Sequence, residues 1–472
     1  MATRIETAAE EFGAGGEQET TGAWRRRAVL WTAGAAAATA WMGPGTQAAA
    51  RAHAGEAVAG QGDGAVAQRM DGAAPGPLPA ALGRAPRLVV QSGRLVWGGR
   101  PFAALGANVW QLQNYFAPGL VQPFTTAGTT WNGSFSGDPA RGERILAEAA
   151  AYGLRVIRFI SMGWNPAWLH YWLTQPQLFW RGHDALMAAA GRYGVYLVPS
   201  LVWHAMPFAV ATGESNAAVF TPGTQAHALM LRYVREYVGR YRSHPNVLMW
   251  ELGNEWNLMV ARGPRNKWYF DTVGGLRGAM RAVTAVIKAV DPDHLVESGM
   301  AMPAVDQGAD LAAQQQAFAL ANQYADVACL HVYPQYESIS PAQAAIYKAA
   351  AAQMHIPLPS LGGASVMGMA SVPAYLRAMA VTARTVLRKP LIVGEFGQDY
   401  VRHPHAGFVR DVLQGWAEGV FPLALVWSWM AAPSSNASGL ASSVDPTTRP
   451  YVANLFRQFA RRRPWPSPPG TR

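Results

Sequence analysis

The sequence predicts an α/β chain folded as a (β/α)8 TIM barrel, and three observations carry that expectation. Eight short apolar runs recur between residues 102 and 429. Their first residues fall on average about 46 residues apart, room for one strand and one helical crossover per repeat. Within each run the apolar residues are continuous rather than alternating, the pattern of parallel strands covered on both faces. The rival arrangement, an open doubly wound sheet, usually carries a Gly-rich phosphate loop after its first strand. Here the first run closes in Gly106-Ala107-Asn108-Val109-Trp110, which is no such loop.

In chain order the runs are 102–109, 154–160, 195–202, 247–252, 294–298, 327–332, 390–396 and 423–429. Ahead of the second, Ile145, Leu146, Ala149, Ala150 and Tyr152 recur at helical spacing, and Gly153 follows as a C-terminal stop. Leu231, Val234, Val238 and Tyr241 repeat the pattern before the fourth run, and Val283, Val286, Ile287 and Val290 before the fifth. The connection from Tyr333 to Pro390 exceeds the mean spacing and contains Leu361-Gly362-Gly363-Ala364-Ser365. It is expected as an excursion over the cleft.

Barrel chemistry sits at the C-terminal ends of the strands. Polar and aromatic residues gather there: Asn108 and Trp110 after the first run, Arg158 within the second, Trp203 and His204 after the third, Asn254, Glu255 and Trp256 after the fourth. His331 and Tyr333 close the sixth, Glu395 the seventh, and Trp427 and Trp429 the eighth. Glu255 and Glu395 each end an apolar strand, where an ionised carboxylate is costly unless paired or used. Strands four and seven face each other roughly across the barrel mouth, so both carboxyls can converge. Two such groups suffice for a glycosidic bond: one protonates the leaving oxygen and the other attacks the anomeric carbon or activates water. Arg158 beside a carboxylate would lower its pKa and keep it ionised, while the less compensated Glu could hold a proton near neutrality. Glu251, deeper in the fourth strand, and Cys329, alone in the sixth, read as structural. Trp168, Tyr171, Trp172 and Trp180 follow the second strand and could stack sugars.

The stretch Tyr241-Arg242-Ser243-His244-Pro245-Asn246-Val247-Leu248-Met249-Trp250-Glu251-Leu252-Gly253-Asn254-Glu255 resembles the strand-four signature of glycoside hydrolase family 5, within the clan of retaining barrel glycosidases. Pro390-Leu391-Ile392-Val393-Gly394-Glu395-Phe396-Gly397 resembles its strand-seven signature, His331-x-Tyr333 the strand-six motif, and Arg158 the strand-two arginine. The resemblance implies Glu255 as acid/base and Glu395 as nucleophile. It implies Asn254 on the substrate 2-hydroxyl, Arg158 and Tyr333 orienting Glu395, His331 near Glu255, and Trp427 as a platform under the sugar. Asn108, Trp110, His204, Trp256 and Trp429 complete the candidate substrate-binding set. Where many members have Pro after the acid/base, this chain has Trp256, and His204 matches its counterpart loosely. The first run and the Trp-Glu-Leu-Gly-Asn-Glu stretch resemble mannanases more than cellulases. The implied activity is therefore an endo-β-1,4-mannanase, with an endo-β-1,4-glucanase or another β-glycosidase as alternatives. A sugar-binding barrel without catalysis would have lost a carboxylate, and both are present.

Of the 472 residues about half are hydrophobic and 14% charged, which supports a large core and excludes wholesale disorder. Arg and Lys exceed Asp and Glu by +10, yet the Arg are scattered, without the basic stripe of a nucleic-acid binder. One cysteine excludes an intrachain disulfide and any Cys-based metal site. No Gly-Lys phosphate loop or His-Glu-x-x-His motif occurs, so neither cofactor nor metal is expected. Residues 1–54 have the layout of an export signal: Arg26-Arg27 before an uncharged Ala-rich run, resembling a twin-arginine signal, with a small-residue exit at 52–54. Residues 55–84 read as an Ala/Gly/Pro-rich linker, 85–463 as the catalytic barrel, and 464–472 as a frayed Pro-rich tail. We expect an exported monomer acting on a β-linked polysaccharide or oligosaccharide, with no nucleic-acid partner and no stable membrane association once the signal is removed, the alternative being an N-terminus kept uncleaved as an anchor.

Overall fold

The computed structural model describes residues 87–118, 124–126, 129–131, 137–163, 165–260, 269–303, 311–333, 372–401, 403–431 and 441–465. The expected export signal and linker, and the 334–371 portion of the long connection, lie outside the described residues.

All eight apolar runs form strands: β1 Ala104–Asn108, β2 Leu154–Ile160, β3 Tyr196–Val202, β4 Trp250–Gly253, β5 Val296–Glu297, β6 Ala328–Val332, β7 Leu391–Phe396 and β8 Leu423–Trp427. They join in one parallel sheet in the order β5-β4-β3-β2-β1-β8-β7-β6. Parallel bridges from Glu297 to Val327 and from Ala301 to His331 link its two outer strands, so the sheet closes as a (β/α)8 barrel. The expected strands are trimmed where pairing stops. Val247 makes only an isolated bridge to Leu197, and β5 shrinks to two residues.

Helices follow the strands and pack outside them: α1 Pro139–Ala151, α2 Pro176–Arg192, α3 Gln225–Tyr241, α4 Val273–Val290, α5 Leu311–Ala321, α6 Val372–Thr382, α7 Gly407–Ala417 and α8 Pro450–Ala460. Their starts are capped locally. Asp138, Thr224 and Thr272 side chains accept from backbone N–H groups of the first turns of α1, α3 and α4, and Pro opens α1, α2 and α8. Gly153 ends the α1 region at φ 81°, as its position in the sequence predicts. Among the described residues no helix is long and apolar enough to cross a membrane.

A small antiparallel sheet, Leu88–Gln91, Arg94–Trp97 and Arg100–Pro101, precedes β1. Its apolar alternation around Ser92-Gly93 is a hairpin signal that the strand-run reading passed over. Leu88, Leu95 and Trp97 bury themselves with Phe102, Val156, Val198, Leu248 and Ile392, and so plug the end of the barrel where the strands begin. Trp465 joins this cluster, stacked on Tyr196 at 5.0 Å and edge-on to Phe102 at 5.3 Å. The chain is therefore still packed at a position expected to be frayed tail.

Candidate active site

Arg158 organises the mouth of the barrel. It projects from β2 and is fully buried, and its cost is met by an array of acceptors. Its Nε and Nη2 donate to the two oxygens of Glu251, the Nη2 contact measuring 2.8 Å. Nη1 donates to Asn108 Oδ1 at 2.8 Å and to Glu395 Oε1 at 2.5 Å, and Nη2 also reaches Asn254 Oδ1 at 2.8 Å. Asn108 is locked in turn by its amide, which donates to the Gly394 carbonyl at 3.0 Å. The guanidinium also lies 4.5 Å from the Trp203 ring centre, and Trp203 stacks on Trp427 at 6.2 Å and 24°. Trp203, noted at the end of the third run, was not among the residues expected to bind substrate. Its place immediately before His204 at the end of the third run was the available signal.

Glu395 sits near the end of β7, where the pairing with β8 shifts register between Val393 and Phe396. Gly394 precedes it because a Cβ there would stand 2.4 Å from Cys329 Sγ and 3.0 Å from the His331 ring. Tyr333 donates to Glu395 Oε2 at 2.5 Å, so donors hold both carboxylate oxygens. Burial pushes this carboxyl up on balance, while the nearby His331 ring, the Arg158 charge and the Tyr333 hydroxyl pull it back. The sequence expectation that Arg158 would dominate is corrected here: desolvation outweighs it.

Glu255 follows β4 in a left-handed conformation, φ 53°, and its N–H donates to the Gly299 carbonyl at 2.7 Å. Its carboxyl is 17% exposed and meets His331 Nδ1 at 3.1 Å. Burial pushes it up to about 7, Arg158 offsetting only part of that cost. The His331 ring is lowered to about 4 by burial and is therefore neutral. One ligand-type atom from each of Glu255, His331 and Glu395 lies within 4.8 Å of the others. Such a trio could meet a metal ion. Glu395, however, already has a guanidinium on one oxygen and a phenol on the other, so a cation there would face like charge at close range.

The other expected residues divide by reach. Asn254, Tyr333, Trp110 and His204 are half-buried around the mouth, and Trp427 ends β8 with 9% exposure, followed by a cis peptide to Ser428. His204 accepts or donates at 2.6 Å to Tyr269, a partner the sequence reading did not foresee, and does not touch either glutamate. Asn108 and Arg158 are sealed inside and can only position other groups. Two expectations are corrected. Trp256 is fully buried against Phe220 and Phe270 with its indole N–H on the Val202 carbonyl, and Trp429 is fully buried against Tyr152. No sugar can reach either ring. Trp168, Tyr171 and Trp172 are also core residues, packed with Phe179 and Tyr233, because Pro166–Thr174 is a helix whose aromatics turn inward.

A family model described as "Glycosyl hydrolases family 2, TIM barrel domain" matches residues 181–439. Among curated proteins, mannan endo-1,4-beta-mannosidase 1 from Oryza sativa subsp. japonica is 23% identical over 367 residues, 69% of this chain and 72% of that protein. Mannan endo-1,4-beta-mannosidase F from Aspergillus clavatus is 29% identical over 122 residues, 25% of this chain and 26% of that protein. Among solved structures, the endo-1,4-beta-mannanase from Rhizomucor miehei superposes with TM-score 0.55 at 14% identity, over 80% of this chain and 99% of that one. The endo-beta-1,4-mannanase from Thermotoga petrophila gives TM-score 0.52 at 14% identity, over 77% of each chain. The likeness to these solved structures is one of fold, the (β/α)8 barrel.

Proposed function

Because the chain belongs to the family described as glycosyl hydrolases family 2, TIM barrel domain, we propose that it is a retaining β-glycoside hydrolase with Glu395 as nucleophile and Glu255 as acid/base. The observation that carries the reading is the approach of the two carboxyls. An oxygen of each lies within 4.8 Å of the other, with His331 between them. Retaining enzymes hold these groups roughly 5–5.5 Å apart, and inverting ones leave room for a water at about 6.5–9.5 Å. The difference in their surroundings supports the division of labour. Glu395 lies between two donors suited to an anion, whereas Glu255 keeps a proton up to about pH 7.

In the first step the Glu395 carboxylate attacks the anomeric carbon, the bond to the leaving oxygen breaks, and Glu255 gives that oxygen its proton. In the second, Glu255 takes a proton from water as the water attacks the same carbon and releases Glu395. Two inversions leave the configuration unchanged. Asn254 stands beside Arg158 where it could bond the 2-hydroxyl, and Trp427 at the end of β8 could carry the sugar ring. As substrate we propose β-1,4-linked mannan, a reading supported by the names of the relatives above; hydrolysis rates on mannan, glucomannan, carboxymethylcellulose and xylan distinguish it from a glucanase.

Azide rescue tests the two roles. With an activated aryl glycoside, Glu255→Ala still forms the glycosyl-enzyme, azide then replaces water without a base, and the product is the β-glycosyl azide. In Glu395→Ala azide enters from the opposite face and gives the α-azide. Reversed anomers would exchange the roles, and wild-type rates in both variants would remove the reading.

A further inference from the structure

Below the two glutamates lies a second pair of carboxyls. Glu297 of β5 stands in register with Glu251 of β4, and both side chains are fully buried. Glu297 Oε2 accepts the Gly299 N–H at 2.6 Å, while its Oε1 accepts no N–H or O–H from any described donor, the one other donor to this carboxyl being the weak Cys329 thiol. Glu251 cannot supply one as an anion, since both its oxygens are acceptors for Arg158. Two adjacent buried anions would also load a single guanidinium that already serves Glu395. A hydrogen on Glu297 resolves both problems, because the bare oxygen becomes a donor to Glu251 and one charge disappears. The other titratable neighbours of Glu297 are Arg158 and the Cys329 thiol, which burial keeps neutral. Burial and the Glu251 charge push the Glu297 carboxyl well above its ordinary range, and the hydrogen bond between the two helps hold Glu251 low.

Glu297 thereby touches two arms of the site. Through Glu251 it reaches Arg158 and so Glu395. Through Gly299, whose N–H it accepts and whose carbonyl takes the Glu255 N–H at 2.7 Å, it reaches the backbone that holds Glu255 at φ 53°.

Resting on the reading of Glu255 and Glu395 above, we propose that Glu297 is a positioning residue for the reaction. As a neutral acid it donates to Glu251 and accepts from Gly299, and so braces the Arg158–Glu395 arm and the Gly299–Glu255 arm together. The neutral acid offers one donor and one acceptor, and glutamine reproduces both at nearly the same size. Glu297→Gln is therefore expected to keep kcat and KM on an aryl glycoside within about threefold of wild type, and to keep the basic limb of kcat/KM in place. Glu297→Met fills the space without either group. It is expected to leave KM near wild type while kcat, and the rate of labelling of Glu395 by a 2-deoxy-2-fluoro glycosyl fluoride, fall by about tenfold or more. Wild type should also show the infrared band of a protonated carboxyl at alkaline pH that Glu297→Gln lacks. A folded Glu297→Met with wild-type kcat overturns the proposal, as does a Glu297→Gln that loses as much as Glu297→Met. If Glu297→Met does not fold, a wild type without that infrared band still overturns it. These outcomes are separable from failure of the functional reading, which Glu395→Ala with azide reports independently.

Discussion

At the scale of single residues the site works by uneven compensation. Four carboxyls, those of Glu251, Glu255, Glu297 and Glu395, lie near the one guanidinium of Arg158, and its hydrogen bonds to carboxyls go to Glu251 and Glu395. Glu255 receives only its field, and burial carries its carboxyl from an ordinary 4.5 up to about 7. A folded value above the unfolded one means that the neutral form is the favoured form. That contribution is fully present below 4.5 and is lost as pH rises through about 7. Above that window the buried charge costs about 3 kcal/mol, from roughly 1.4 kcal/mol per pKa unit. Glu255→Gln removes the charge. Its melting temperature should therefore gain on wild type as pH rises from about 5 to about 8, a trend that thermal melts across that range would measure. A gap that stays constant with pH would contradict the raised pKa. In wild type the same group should set a basic limb near 7 in kcat/KM, with activity lost on the alkaline side as the acid loses its proton.

At the scale of elements, the barrel strands set which side chains meet, and the turns after them set the angle. The turn after β5 is the tightest case described here. Gly299 has φ +66°, and a Cβ on it would stand 1.9 Å from the Gly253 carbonyl and 3.0 Å from the Glu251 side chain. Gly299→Ala must move the turn that accepts the Glu255 N–H. We expect a loss of about 3 kcal/mol or more in stability and a lower kcat at similar KM, read by denaturant melts and steady-state kinetics. Gly278, inside α4 with open space where a Cβ would go, supplies the control. Gly278→Ala should be neutral or gain about 0.5–1 kcal/mol. If both substitutions behaved alike, the turn would not be the constraint. Strand positions were legible from residue type alone: Leu154–Ile160 forms as read, because a largely apolar run interrupted only by Arg155 and Arg158 has few other places to go. The role of Glu297 was not legible. It depends on β5 lying in register beside β4, and nothing local to either strand records that pairing.

For the whole molecule, the described fold begins at Arg87, and the antiparallel sheet and Trp465 close the end of the barrel away from the site. We propose that the preceding region directs export by the twin-arginine route, on the strength of Arg26-Arg27 ahead of an uncharged Ala-rich run. Secreted protein should then begin near residue 50–55, which N-terminal sequencing would establish; soluble cytoplasmic protein that retains Met1 would count against it. Taken by itself, the amino-acid sequence determined the eight strands, the barrel and the set of polar residues at the strand ends, because burial on both faces and helical periodicity are written in residue order. It also singled out Glu255, Glu395 and Arg158, since a charge ending an apolar strand has no packing reason to be there. Tertiary structure alone decided which aromatics face the mouth. Trp427 and Trp203 stack beside Arg158, while Trp256 and Trp429, equally placed at strand ends, turn into the core. It alone decided how one guanidinium is shared among several carboxyls. The direction of a ring and the distribution of a charge both depend on neighbours that the chain brings together only when the barrel closes.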